Sequence, residues 1–239
     1  MSSHFFTTDA LVIGSMRYRE ADRIVTLYTR DRGKVSVVAK GVRRTKSKVG
    51  GRLEPFSLVR VSLHSGRGTL YTVVGVETVR TFQGVRDELF RMEEGAHLLT
   101  AVRHLFPGEE ASAPAFNLLV RGVARLAEAE DAATASGVVL ATRLKLLVLL
   151  GYAPEVTRCA QCGSEGPFYG FSPGLGGVIC EPCVGTAETA CFALSTGAVA
   201  TLRSLCENTL ADIKDLELDD RATAEVEQVL TQTLAFHGH

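Results

Sequence analysis

Residues 20–53 read Glu20-Ala-Asp-Arg-Ile-Val-Thr-Leu-Tyr-Thr-Arg-Asp-Arg-Gly-Lys-Val-Ser-Val-Val-Ala-Lys-Gly-Val-Arg-Arg-Thr-Lys-Ser-Lys-Val-Gly-Gly-Arg-Leu53. Two β-branched runs, Arg23 to Thr29 and Lys34 to Ala39, flank an Arg-Asp-Arg-Gly turn. The pattern predicts a hairpin, with Gly33 free to take the positive φ of a short loop. The second run alternates: Val35, Val37 and Ala39 share one face, and Lys34, Ser36 and Lys40 the other. It then enters a segment carrying Lys40, Arg43, Arg44, Lys46, Lys48 and Arg52, with no acid between Asp31 and Glu54. A small sheet ending in uncompensated cations suits a polyanion.

Outward from the hairpin, Phe5 to Met16 reads as a strand, and so does Phe56 to Leu63. A Ser65-Gly-Arg67-Gly turn leads into a returning strand from Leu70 to Val79. Five short strands within residues 1–80 predict a small antiparallel barrel, which removes sheet edges by closing on itself. An OB-fold fits this count, with an SH3-like barrel as the alternative. Tyr18, Tyr28, Phe56 and Tyr71 lie among the strands and are candidates for stacking on bases.

Charge divides along the same line. The whole chain of 239 residues has a net charge of −1, yet residues 1–80 hold fifteen Lys/Arg against six Asp/Glu. That segment is +9, so the rest sums to −10. Such asymmetry points to a nucleic-acid-binding module joined to an acidic body.

From Gly84 the periodicity becomes helical. Val85, Leu89, Met92, Ala96, Leu99, Val102 and Phe106 form the expected stripe of a first helix, stopped by Pro107-Gly108. Helices are expected over 113–130 and 131–150, the latter apolar nearly all round in its second half. Two more are expected at the end, N-capped by Ser195 and by Asp219 or Asp220. The fold class is therefore α+β: a barrel over 1–80 and a helical domain over 81–239, with a zinc module at about 155–190.

That module is written in Cys159-Ala-Gln-Cys162-Gly and Cys180-Glu-Pro-Cys183, with seventeen residues between the pairs. Two short-spaced pairs bring four thiolates into a tetrahedron around Zn²⁺. All four ligands come from protein and no position is left for water, so a structural role is expected. Cys191 and Cys206 read as ordinary small apolar residues. The start of the chain has no basic stretch leading into an apolar run, and the cysteine usage suits a reducing compartment; a cytoplasmic protein without a membrane is expected.

Several stretches together resemble the bacterial RecO family of recombination mediators. They are Tyr18-Arg-Glu-Ala-Asp-Arg-Ile-Val, Thr29-Arg-Asp-Arg-Gly-Lys, Ala39-Lys-Gly-Val-Arg-Arg-Thr-Lys-Ser-Lys, and Leu149-Leu-Gly-Tyr-Ala-Pro ahead of Cys159-Ala-Gln-Cys-Gly. The resemblance implies an N-terminal OB-fold, a helical C-terminal domain and an embedded zinc module. It implies DNA repair by the RecFOR pathway: binding single- and double-stranded DNA, annealing strands, and helping the RecA recombinase displace single-strand-binding protein. Its implied partners are RecR and the acidic C-terminal tail of single-strand-binding protein, with association to the nucleoid during repair.

No catalytic constellation is apparent, and no enzyme is expected: no phosphate-binding Gly loop, no His-Glu-x-x-His, no carboxylate cluster beside the basic region. The rival reading is a zinc-ribbon RNA-binding protein of translation or transcription. The candidate DNA contacts are Lys34, Lys40, Arg43, Arg44, Lys46, Lys48, Arg52 and Arg67. A face formed by Arg17, Lys34 and Arg67 is the alternative carrier.

Overall fold

A computed structural model describes residues 5–42, 49–65, 70–187, 189–216 and 218–237. The chain forms two compact units, Met1–Glu128 and Ala129–His239. Residues 81–128 are thereby grouped with the strands, so compactness and element type divide the chain at different places.

The first unit is built on strands β1 (Phe5–Tyr18), β2 (Asp22–Thr29), β3 (Gly33–Ala39), β4 (Ser57–Ser65) and β5 (Tyr71–Thr81). They close into a barrel of order β1-β2-β3-β5-β4, the OB-type arrangement rather than the SH3-like one. Its closure depends on β1, which pairs with both β2 and β4: Ala10 lies opposite Thr29 on one side and Val59 on the other. A bulge between Val12 and Gly14 bends β1 so that one strand can serve both neighbours. β3 and β5 meet in parallel at Val37↔Tyr71 and Val38↔Thr72. The expected alternation holds in β3, where Val35, Val37 and Ala39 are buried and Lys34, Ser36 and Val38 are partly exposed. They join Val12, Val25, Leu27, Val59, Val61 and Leu63 in the barrel core.

The tight β2–β3 turn explains Gly33 twice. Its φ is +67°, and a Cβ there would collide with the Glu110 carbonyl.

Helices α1 (Gln83–Asp87), α2 (Leu89–Leu105) and α3 (Ala113–Leu126) complete this unit. The stripe expected of one continuous helix is only partly buried. Val85, Leu99, Val102 and Phe106 face inward, whereas Leu89 is 69% and Met92 45% exposed, and Ala96 is exposed too. The cause is Glu88, whose extended backbone (φ −126°, ψ 136°) breaks the helix and resets its phase. Gly95 replaces Met92 on the buried side, where a Cβ would come within 2.7 Å of the Phe56 ring. Ser112 caps α3, accepting from the Ala115 amide at 3.3 Å.

The second unit contains α4 (Ala132–Leu149), β6 (Phe168–Ser172), β7 (Gly177–Cys180), α5 (Glu181–Val184), β8 (Phe192–Ala193), α6 (Thr196–Glu207) and α7 (Asp220–His237). The three short strands form a sheet of order β7-β6-β8. Asp131 caps α4 through the Thr134 amide at 2.7 Å, and Gly151 with φ +88° follows its end. As expected, α4 is buried along much of its length, but Val148, Leu149 and Leu150 at its close are exposed. Length and composition would let α4 cross a membrane, yet most of it is buried within the protein. Its Arg143 is 4% exposed and is ion-paired with Glu227 of α7. Ser195 and Asp219 cap α6 and α7 through the amides of Ala198 and Ala222.

Candidate nucleic-acid interface and metal centre

The register places two basic stretches side by side. Arg17 of β1 pairs with Arg23 of β2, which pairs with Ala39 of β3, while Tyr18 pairs with Asp22. Lys40 therefore leaves β3 next to the β1–β2 hairpin tip, and the Gly41 amide donates to Asp22 Oδ1 at 2.8 Å. Lys40 also borders a shallow cavity of about 70 Å³ on the β3–β5 side, lined by Val42, Val49 and residues 73–76. The chain re-enters the described structure at Val49, and the Gly50–Leu53 turn buries Leu53 against the barrel. Arg52 Nη1 donates to the Val76 carbonyl at 2.7 Å on the wall of that cavity.

Lys40 and Arg52 are thus brought to one part of the barrel. Arg43, Arg44, Lys46 and Lys48, between them in sequence, lie outside the described residues, as does Arg67. Lys34 sits elsewhere, at the β2–β3 turn, where its Nζ donates to the Arg103 carbonyl at 3.0 Å. Burial pushes its ammonium pKa down, and the Arg103 charge adds to the shift.

The cations of this unit divide, by their partners, into structural and available charge. Arg23 pairs with Glu54, Arg60 with Asp9 and Arg80 with Glu128. Arg103 Nη1 donates to the Ile13 carbonyl at 2.8 Å, beside the β1 bulge. Among the described residues, Arg17, Arg30 and Lys40 are exposed and have neither an ion pair nor a side-chain hydrogen bond. Arg19 and Arg32 lie over aromatic rings, 5.1 Å from the Tyr18 centroid and 4.1 Å from that of Phe6.

Of the four candidate stacking aromatics, the structure removes two. Tyr28 is fully buried against Phe106, and Phe56 is buried beneath α2. Tyr71 meets Phe6 edge-on and donates to Glu109 at 2.8 Å, so its surroundings are partly acidic. Tyr18 and Tyr71 each have an arginine beside them, Arg19 and Arg32, and of the two Tyr71 is the one bonded to a carboxylate. Arg19 falls between two strands, outside the alternation that singles out strand residues in the sequence. The signal was there, in a five-residue reversal, Tyr18-Arg-Glu-Ala-Asp22, that must turn without a glycine.

The four paired cysteines come together in the second unit. Their sulfurs all lie within 4.8 Å of one another, three being buried and Cys162 exposed. Tetrahedral zinc with Zn–S bonds of about 2.3 Å needs sulfurs roughly 3.8 Å apart. The Cys162–Cys180 separation of 3.6 Å fits. The first pair sits in a turn closed by the Gly163 amide on the Cys159 carbonyl at 2.9 Å, with Gly163 at φ +77°. The second pair spans the junction of β7 and α5. The Cys180 amide donates to Cys159 Sγ at 3.4 Å, the kind of contact that supports a thiolate. Burial opposes ionisation of Cys159, but backbone donation from Cys180, Cys162 and Gln161 outweighs it and holds this thiol low. Cys180 (by burial) and Cys183 (by hydrogen bonding to Cys180) are pushed up, so the four-thiol cluster loses its protons in steps. The donor set, spacing and amide support fit a closed metal site. Cys191 packs beside this cluster without belonging to it.

Comparison with known proteins covers both units. Residues 1–82 match the family model for the recombination protein O N terminal, and residues 86–238 that for its C terminal. The DNA repair protein RecO of Rubrobacter xylanophilus is 41% identical over 210 residues, 87% of this chain and 83% of that protein. The namesake from Symbiobacterium thermophilum is 33% identical over 230 residues, covering 95% and 89% of the two chains. That from Dehalococcoides mccartyi is 33% identical over 235 residues, covering 98% and 90%. On these matches, spread over barrel, helices and cysteine module alike, the chain belongs to the recombination protein O family.

Proposed function

We propose that this chain is a DNA-binding recombination mediator of DNA repair, acting by binding and annealing strands rather than by covalent chemistry. The observation that carries this reading is the set of cations at one end of a closed OB-type barrel, in a chain of the recombination protein O family. Arg17, Arg19 and Lys40 are exposed there, and Arg43, Arg44, Lys46 and Lys48 continue the same segment in sequence. Cations of this kind hold phosphates of single- or double-stranded DNA without regard to sequence, by releasing counterions. Two strands held on one basic surface are relieved of mutual repulsion, which favours annealing. With RecR, the protein helps RecA replace single-strand-binding protein. The acidic remainder of the chain serves as the platform for protein partners, including the tail of single-strand-binding protein. A structural Zn²⁺ held by Cys159, Cys162, Cys180 and Cys183 staples that remainder.

The test is binding of the full chain to oligodeoxynucleotides and oligoribonucleotides of equal length across a salt series. Salt-sensitive binding to DNA at least as tight as to RNA is expected, with about 0.7 added to the slope of log affinity per phosphate contact on a single strand. A clear preference for RNA would instead support the zinc-ribbon RNA-binding alternative. Binding indifferent to salt would overturn the electrostatic reading.

A further inference from the structure

The β1–β2 tip does more than add charge. Arg19 has φ +51°, one of two non-glycine residues with positive φ among the described residues. L-residues rarely adopt this conformation, and those that do are mostly Asn, Asp or His, whose short polar side chains bond locally. A turn that needed only to reverse the chain would be served better by Gly or Asn. An arginine here accepts strain to put a guanidinium at the tip, and strain of this kind collects at ligand-contacting positions.

That guanidinium is held against an aromatic ring. It lies over the Tyr18 ring at 5.1 Å from the centroid, and Tyr18 is half-buried while Arg19 is exposed. Arg17, one residue before, is exposed, with no partner among the described residues. Lys40 emerges from the adjacent strand. Arginine planes and tyrosine rings are the two surfaces on which unstacked bases commonly settle. A cation–aromatic pair flanked by unneutralised charge offers both halves of a nucleotide a partner.

We infer that the Tyr18–Arg19 pair at the β1–β2 tip is a stacking platform for one unpaired base, with Arg17 and Lys40 placed to take the flanking phosphates. This rests on the DNA-binding reading above and deepens it: the barrel distinguishes a strand with accessible bases from a bare polyanion or a closed duplex. Phosphate contacts alone cannot make that distinction. The platform gives a mediator a means of holding single strands with their bases presented.

The test compares an oligothymidylate with an abasic oligomer of the same length and phosphate count, using the full chain. The intact protein should bind the base-bearing strand more tightly, on the order of tenfold for one stacked base. Tyr18→Ala and Arg19→Gly should each remove most of that preference, whereas Tyr18→Phe should retain it. Arg19→Gly should also melt no lower than the parent, since glycine relieves the turn. That separates loss of contact from loss of fold. Equal binding of the two oligomers by the intact chain would remove the platform and leave the electrostatic reading standing. A base preference that survives both substitutions would move the platform elsewhere on the barrel. Failure to bind either oligomer would overturn the DNA-binding reading together with this inference.

Discussion

The two units treat positive charge in opposite ways. In the barrel unit Arg17, Arg30 and Lys40 are exposed and unpartnered among the described residues. In the second unit the described cationic side chains are all engaged. Arg143 pairs with Glu227, Arg158 with Glu165 and Arg221 with Glu225. Lys145 donates to the Leu205 and Cys206 carbonyls at the end of α6, and Arg203 to the Val156 carbonyl at 2.8 Å. Burial pushes the Lys145 ammonium down further. Buried Arg143 and half-buried Lys145, held by a carboxylate and by carbonyls, have little left to give a phosphate, while the exposed Arg158 and Arg221 each keep a carboxylate beside them that opposes one. Net charge alone would assign the polyanion to the first unit; the partner census says why in terms of particular side chains.

The largest effect is expected at the cysteines. Cys180→Ser, or stripping metal with a chelator, should destabilise the second unit by several kcal/mol, because the binding free energy of a structural metal is folding free energy. DNA affinity should stay near that of the parent while the barrel remains folded. One zinc per chain by metal analysis is the companion expectation. Melting behaviour that ignores the chelator would show that the four sulfurs hold no structural ion.

Arg143 and the basic segment sharpen the contrast between the units. Arg143→Ala removes the cation that faces Glu227 across the α4–α7 contact and should cost about 1.5–3 kcal/mol of stability, as losing a hydrogen bond to a charged group does. Because Glu227 is partly exposed, the lower end of that range is expected. The salt slope of DNA binding should not move. Replacing Arg43, Arg44, Lys46 and Lys48 together with alanine should do the reverse: the slope flattens by up to about 3, affinity falls alike for all sequences, and the melting point holds. If the quadruple variant kept its slope, the Arg17 and Lys40 side of the barrel would have to carry the phosphates alone. A changed slope in Arg143→Ala would break the division of labour between the units.

Much of this organisation was legible because it depends on local rules. Strand alternation from Lys34 to Ala39, the turn at Gly33, the caps at Ser195 and Asp219 and the paired cysteines each follow from chemistry within a few residues. What escaped depended on phase or on distant neighbours. One non-helical residue, Glu88, rotated the apolar stripe of the following helix and exposed Leu89 and Met92. Tyr28 and Phe56 look like surface aromatics in a basic region, but Phe106 and α2, distant in sequence, cover them. Lys34 reads as an outward cation in an alternating strand, yet Arg103 supplies its acceptor from seventy residues away. Register, which only the fold supplies, put Lys40 beside the β1–β2 reversal, where the Gly41 amide reaches Asp22.

The smallest effect expected lies in the second unit, where an acid serves the fold rather than a ligand. Glu225 of α7 accepts the Ser195 amide at 2.7 Å, at the position where Ser195 itself caps α6 through the Ala198 amide at 3.1 Å. Ser195→Ala should cost about 1 kcal/mol, the usual loss for an N-cap. The carboxylate adds a pH signature. Donation from the Ser195 backbone, with a smaller contribution from Arg221, holds the Glu225 pKa below its ordinary value. A group depressed in the folded state contributes stability above its unfolded pKa and loses it as pH falls through the folded one. Parent and Glu225→Gln should therefore differ in melting temperature at neutral pH, with the parent higher. The gap should close on acidification through and below the ordinary carboxylate range, since both side chains are then uncharged. A gap that stays constant down to that pH would mean that Glu225 contributes shape alone, and that charge in this unit is less firmly built into the fold than its partner contacts imply.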